Sequence, residues 1–387
     1  MYLLPMKQTK TILSTYSADV FGVCSALYEL GGMTVMHDAS GCNSTYNTHD
    51  EPRWYDSESL VFISGLTEMD AIMGDDQKLI DDMLQAIQEL HPAFAALAGS
   101  PIPMLIGCDI PTIAWQIEQE SGIPCFGFST NGMHSYIPGA SAALAAYARR
   151  MTDETAKARP RTVNLLGATP LDFSTNGSIP SMVHLLEKAG WEVIGTWAMG
   201  STPEQLYRAG EASVNLVISS VGLETARVLK ERFGTPYVVG TPTGTAFTHR
   251  ILESLAKTEE DKQDRVAFED VVPAADAELV IIGESVMSRS LAAMLRLECG
   301  VDARVFCPLE TEEGILSPSD MAEEEEDALQ ALLVDARTVV ADPMFRPVLP
   351  TSCKLISLPH EACSGRLYRK TIPDLTALSA KFFFGGN

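Results

Sequence analysis

At 387 residues and 41.9 kDa, the chain is longer than one hydrophobic core usually serves, so two or three domains are expected. Against 28 Lys and Arg stand 51 Asp and Glu, a formal charge of -23 that repels a phosphate backbone and excludes nucleic acid as a partner. With 46% hydrophobic residues, no run of about 18 apolar residues and no signal-peptide pattern in the opening MYLLPMKQTK, the chain reads as globular and cytoplasmic, with no membrane partner.

In chain order, Cys24 opens the helical pattern CSALYELGG, MTVMH follows as a strand, and Cys42 comes next in a loop rich in Gly, Ser and Asn. Short apolar runs then recur between helical patterns: LVFISGL, AFAALAGS, PCFGFST, TVNLLGA, WEVIGTWA, VNLVISS, PYVVGTP, ELVIIGES, DARVFCP, RTVVADP and KLISLPH. Continuous rather than alternating apolar character is what parallel strands covered on both faces require, so the fold class is α/β with doubly wound parallel sheets. The polar segments RRMTDETAKARPR and KTEEDKQDRVAFED break the rhythm and divide the chain into units 1–158, 159–268 and 269–387. GTPTGTAFTHR has strand-turn-helix character and reads as a structural turn or an anion site at a helix N-terminus. The acidic run that begins at Ala322 reads as the solvated first turn of a helix.

Ligands in doubly wound sheets bind beyond the carboxyl ends of strands, which singles out two loops. NGMHSY carries His134 and Tyr136, and LPHEACSG carries His360, Glu361 and Cys363. His134, His360, Glu361 and Cys363 are the catalytic candidates for a small-molecule substrate in an interdomain cleft. Neither a P-loop nor a G-x-G-x-x-G after a strand is present, which argues against nucleotide chemistry by this chain alone.

Of the eight cysteines, Cys125, Cys307 and Cys353 lie on apolar runs and read as core. Cys42 is open to three readings: a buried small residue, a nucleophile with His37 or His49 as base, or a metal ligand. Cys24, His37, Cys42 and His49 run as C-x12-H-x4-C-x6-H, without the close ligand pairs of structural zinc sites. Backbone N–H groups of the glycine loop are suited to cluster sulfides.

VCSALYELGGMTVMHDASGCNSTY resembles the amino-terminal cluster-binding region of the nitrogenase component 1 family, and the resemblance continues through VFISGLTEMDAIMGDD to ESGIPCFGFSTNGMHS. VNLLGATP, STPEQLYRAGEASVNLVIS, FGTPYVVGTPTGTAFTHRILESLA and ELVIIGESVMSRSLAAMLRLECG are similar to its later domains. The resemblance implies three Rossmann-like domains, a paired subunit and an iron-sulfur cluster at the subunit interface. On this reading Cys24 and Cys42 are the metal ligands of a cluster, most simply 4Fe-4S, with Cys108 a further cofactor-binding candidate. Ser100 and Pro101 stand where family members carry a third cluster cysteine. The absence of cysteine between residues 126 and 298 argues against a molybdenum-iron cofactor of the nitrogenase type.

Two ligands per chain imply a homodimer or a paralogous component 1 partner sharing one cluster. The expected electron donor is a nitrogenase-reductase-like ATPase, and the expected activity is that of an oxidoreductase on a small molecule. The alternatives are a non-catalytic scaffold for cofactor assembly and a cytoplasmic binding protein for a small metal chelate.

Overall fold

The computed structural model describes residues 12–39, 41, 43, 51–323, 325–334 and 336–385. Three all-parallel sheets follow one another along the chain, and helices carry the chain back between most successive strands, as parallel pairing favours.

The first unit comprises α1 (Asp19–Leu27), β1 (Met33–His37), β2 (Leu60–Ile63), α2 (Glu68–Met73), α3 (Asp76–Leu90), β3 (Ala95–Gly99), α4 (Pro101–Ile106), α5 (Ile110–Ser121), β4 (Cys125–Phe128) and α6 (Tyr136–Arg150), with strand order β2-β1-β3-β4. The second comprises β5 (Thr162–Leu166), α7 (Pro170–Phe173), α8 (Ser178–Lys188), β6 (Glu192–Trp197), α9 (Pro203–Tyr207), β7 (Val214–Val217), α10 (Leu223–Phe233), β8 (Tyr237–Val239), α11 (Ala246–Asp261) and β9 (Arg265–Val266), ordered β6-β5-β7-β8-β9. In the third, β10 (Leu279–Ile282), α12 (Ser285–Cys299), β11 (Ala303–Cys307), β12 (Met321–Ala322), α13 (Glu326–Leu332), β13 (Thr338–Ala341), β14 (Lys354–Ser357), α14 (Glu361–Tyr368) and α15 (Ala380–Phe384) give the order β12-β11-β10-β13-β14. The architecture is thus three Rossmann-like α/β domains.

One apolar cluster runs through all three sheets, and a second is confined to one face of the first sheet. Alternation along the strands makes this division: Met36, Ala96 and Ala98 belong to the shared cluster, while Met33, Val35, Ala95 and Leu97 face α3 and α5. Cys125, Cys307 and Cys353 are buried. No helix among the described residues is long and apolar enough to cross a membrane.

α1 and α6 cross at backbone contact. A Cβ on Gly22 would lie 2.1 Å from the Tyr136 carbonyl oxygen, so only glycine admits this approach, which sets Tyr136 at the start of α6.

Two local expectations are corrected, and a third position is occupied by the chain itself. Cys24 does not open its helix: α1 begins at Asp19, and Cys24 is fully buried within it. The acidic run does not present a wholly solvated turn, because Glu326 is buried and accepts hydrogen bonds from the backbone N–H groups of Ile12 and Leu13 at 3.0 and 2.9 Å. At the N-terminus of α11, the Glu298 carboxylate accepts from the N–H groups of Thr245 and Ala246 at 2.6 and 3.0 Å, so the chain fills that anion position itself.

Candidate active site

In the second sheet the strand order reverses between β5 and β7, and in the third between β10 and β13. Loops leaving such a pair diverge to opposite sides and open a crevice at the carboxyl edge. The two crevices face each other. From the second sheet come Asp172, beyond β5, and Ser219 and Ser220, beyond β7; from the third come Glu284, beyond β10, and Asp342, beyond β13. The Ser220 N–H donates to Glu284 Oε1 at 3.0 Å, and its hydroxyl donates to the same oxygen, so the two sheets are joined at this point.

Asp172 is held by three hydroxyls. Thr169 and Ser219 donate to Oδ2 at 2.9 and 2.8 Å, and Tyr136, arriving from the first unit, donates to Oδ1. Glu284 also caps α12, accepting from Val286 N–H at 3.0 Å and Met287 N–H at 2.8 Å. Burial, and secondarily the charge of Asp172, raises the Glu284 carboxyl above its ordinary value. Burial, with Asp172 and Glu284 adding to it, likewise raises the Tyr136 phenol.

His360 follows β14 and stands between two aromatic rings, edge-on to Tyr16 at 5.6 Å and tilted to Tyr136 at 6.1 Å. It is 8% exposed, and neither ring nitrogen has a hydrogen-bond partner among the described residues. Nε2 lies 3.6 Å from Asp172 Oδ1, too long for a hydrogen bond but within reach of an ion pair if the ring is protonated.

Asp172, Glu284, Asp342, His360 and Tyr16 line a cavity of ≈ 50 Å³ whose remaining wall is mainly apolar. Its cover is the C-terminal segment. The Thr243 hydroxyl donates to the Leu375 carbonyl at 3.0 Å and Leu375 N–H donates to Ser178 Oγ at 3.1 Å, which seats Leu375 and Leu378 against the cavity.

The candidates from sequence separate. His360 lines this cavity, with Tyr136 packed behind it. Glu361 and Cys363 line an adjoining, wider cavity of ≈ 620 Å³ that shares Tyr16, and Glu361 pairs with Arg369 at 2.7 Å. His134 is exposed, 3.5 Å from Glu310, and lines neither cavity. Asp172, Glu284 and Asp342 escaped the sequence reading. Their one signal was position, an acidic residue just past an apolar run.

Cys42 and His49 lie outside the described residues. Cys24 packs in the shared core; burial, with nearby Glu51 adding to it, pushes its thiol well above the ordinary range. Cys108 lies across the first sheet, packed against the other cluster; its Sγ donates to Asp76 Oδ1 at 3.7 Å, and burial raises it to about 12. His37 is buried in β1, hydrogen-bonded through Nδ1 to Ser64 Oγ at 2.8 Å, and burial lowers its pKa. Among the described residues, no three His, Cys, Asp or Glu side chains are arranged to hold a metal ion, so they do not by themselves fit an iron-sulfur cluster.

Comparison with known proteins gives a consistent answer. The nitrogenase molybdenum-iron protein alpha chain of Clostridium pasteurianum is 27% identical over 217 residues, 55% of this chain and 40% of that one. The nitrogenase iron-molybdenum cofactor biosynthesis protein NifE of Rhodobacter capsulatus is 27% identical over 203 residues (51% and 41%). A light-independent protochlorophyllide reductase polypeptide of Nostoc punctiforme is 24% identical over 210 residues (51% and 41%). The match therefore spans less than half the length of these relatives. The solved structure of nitrogenase Cp1 at pH 5 superposes with a TM-score of 0.61 at 18% identity, covering 93% of this chain and 86% of that one. The family model for nitrogenase component 1 type oxidoreductases matches residues 20–306, and the chain belongs to that family.

Proposed function

We propose that this chain is a nitrogenase-like oxidoreductase subunit that binds a small-molecule substrate in the cavity beside His360, within domains bounded near residues 158 and 268. The observation that carries this reading is the meeting of two topological switch points over one buried cavity, with a histidine whose ring nitrogens lack hydrogen-bond partners among the described residues. The residues do three things there. Tyr136, Thr169 and Ser219 fix the Asp172 carboxylate, which holds Oδ1 3.6 Å from His360 Nε2 at the cavity wall. Glu284 retains a proton more strongly than a solvated carboxyl. Leu375 and Leu378 keep water out.

The same reading includes an oxygen-sensitive 4Fe-4S cluster shared with a second component 1 subunit, itself or a paralogue, and a separate ATP-dependent reductase in a reducing cytoplasm. A bound cluster supplies low-potential one-electron chemistry. Its support is family membership and the Gly41-Cys42 pair in the sequence, with Cys24 in α1; Cys108, across the sheet, adds nothing to it. Anaerobic purification with iron and sulfide analysis of the wild type, Cys24→Ala and Cys42→Ala tests this part. Full iron content in both variants removes these ligands. Rapid mixing with a nitrogenase-reductase-like protein and MgATP then tests electron transfer, which is expected to be poor with ADP. A cofactor-assembly scaffold is the second reading, favoured by the similarity to a cofactor biosynthesis protein; iron without substrate turnover selects it.

A further inference from the structure

We infer that the cavity beside His360 selects a small organic cation carrying N–H donors, of the amine or amidine class, over an anion. The inference rests on the reading of this cavity as a ligand site and names the charge of what enters it.

Three carboxyl groups line the one cavity, and each is almost wholly buried: Asp172 at 2%, Glu284 at 1% and Asp342 at 2% exposure. Every hydrogen bond that they receive from the described residues comes from a neutral donor. Asp172 has the hydroxyls of Tyr136, Thr169 and Ser219. Glu284 has the hydroxyls of Ser220 and Ser285 and the backbone N–H groups of Ser220, Val286 and Met287. Asp342 accepts from Met344 N–H at 2.9 Å, His360 N–H at 2.8 Å and Ser364 Oγ at 2.5 Å.

Among the described residues, no Lys or Arg lines the cavity. Arg289 of α12 faces Asp320 at 3.1 Å, and Arg369 faces Glu361. Buried carboxylates are ordinarily paired with a cation, because neutral hydrogen bonds do not cancel the charge. For Asp172 and Asp342 that counter-charge is missing from the described wall.

A second observation points inward independently of the acids. The His360 side chain is nine-tenths buried at 10% exposure, lines the cavity, and leaves both ring nitrogens without a hydrogen-bond partner among the described residues. A neutral imidazole has one acceptor nitrogen, and an ammonium or amidinium head is a donor only, so the two match. An anion would instead meet the carboxylates of Asp172 and Asp342 with no Lys or Arg on the described wall to receive it. Among the described residues no three ligating side chains are arranged for a metal ion, which favours an organic cation. The volume of ≈ 50 Å³ suits a head of a few heavy atoms.

The test uses the full chain as purified. Methylammonium and acetamidinium chlorides are titrated against sodium acetate and sodium succinate at constant ionic strength, with binding read by calorimetry and thermal shift. Saturable one-site binding of the cations is expected, weakened at least tenfold by Asp172→Asn and by His360→Phe, and unchanged by the exposed-surface substitution Asp81→Asn. The wild-type comparison of cation with anion needs no variant, so a misfolded variant does not blunt it. Tighter binding of acetate or succinate, lost in His360→Phe, overturns the charge inference and leaves the ligand-site reading standing. Equal displacement by potassium overturns the organic class. Absence of saturable binding by probes of either charge overturns this inference and the ligand-site reading together.

Discussion

Gly139 of α6 sits against Asp19 of α1 so closely that a Cβ on the glycine would lie 1.9 Å from the Asp19 carbonyl oxygen. The contact is backbone on backbone, and neither helix has a flexible side chain there to move aside. Gly139→Ala is therefore expected to push α6 off α1, costing about 3 kcal/mol, the upper end of overpacking penalties. It should also shift Tyr136, which starts α6 and donates to Asp172. Urea midpoints measure the first effect and tyrosine ultraviolet absorbance the second; unchanged midpoints would show that the crossing is not tight.

Glu284 makes stability depend on pH in a defined direction. Burial, then the Asp172 charge, raises its folded pKa above the unfolded value, so the native state holds a proton that the unfolded chain has released. That contribution is full below the unfolded value, roughly 4.3, and is lost as pH rises through the folded value. Glu284→Gln should lack this loss. Denaturant midpoints from pH 5 to 8 are expected to fall for the wild type relative to the variant; parallel curves would contradict the assignment.

Arg53 is buried and holds the first and second units together. Its Nε donates to Glu51 Oε1 at 2.6 Å, Nη1 to Glu29 Oε1 at 2.9 Å and to the Ala198 carbonyl at 3.3 Å, and Nη2 to the Ser25 carbonyl at 2.8 Å. Arg53→Met leaves the buried Glu51 without this cation, at an expected cost of about 3–5 kcal/mol. Adding Glu51→Gln should recover part of that loss. A double variant as unstable as the sum of the two singles would show that the pair is not coupled.

The buried thiols should be unreactive in the folded, metal-free protein. Burial raises Cys125 and Cys108 to about 12, and Cys24 higher still, so thiolate is scarce at pH 8. Iodoacetamide is expected to leave Cys24 and Cys125 unlabelled until urea unfolds the chain, as peptide mass spectrometry would report. Rapid native labelling of Cys24 would mean that α1 opens readily.

The strands were legible because their signal is local. All eleven apolar runs from LVFISGL to KLISLPH, and MTVMH before them, contain strands of the three sheets; burial on both faces leaves a continuous apolar stretch in the inner strands, and the partly exposed edge strands β2 and β14 keep enough of it to be seen. Two-residue edge strands β9 and β12 left no such trace: they are too short for a pattern and only half-buried or exposed. His360 was legible as a residue beyond a strand end, whereas its separation from His134 was not. What gathers Asp172, Glu284 and His360 is the order of strands in two sheets and the contact between those sheets. Neither leaves a mark on neighbouring residues, because side-chain alternation and helical periodicity report only whether a face is covered. Which stretch covers it, from scores of residues away, is decided by packing. A carboxylate such as Glu326 or Glu298 therefore looks solvated in sequence until a distant backbone supplies its donors.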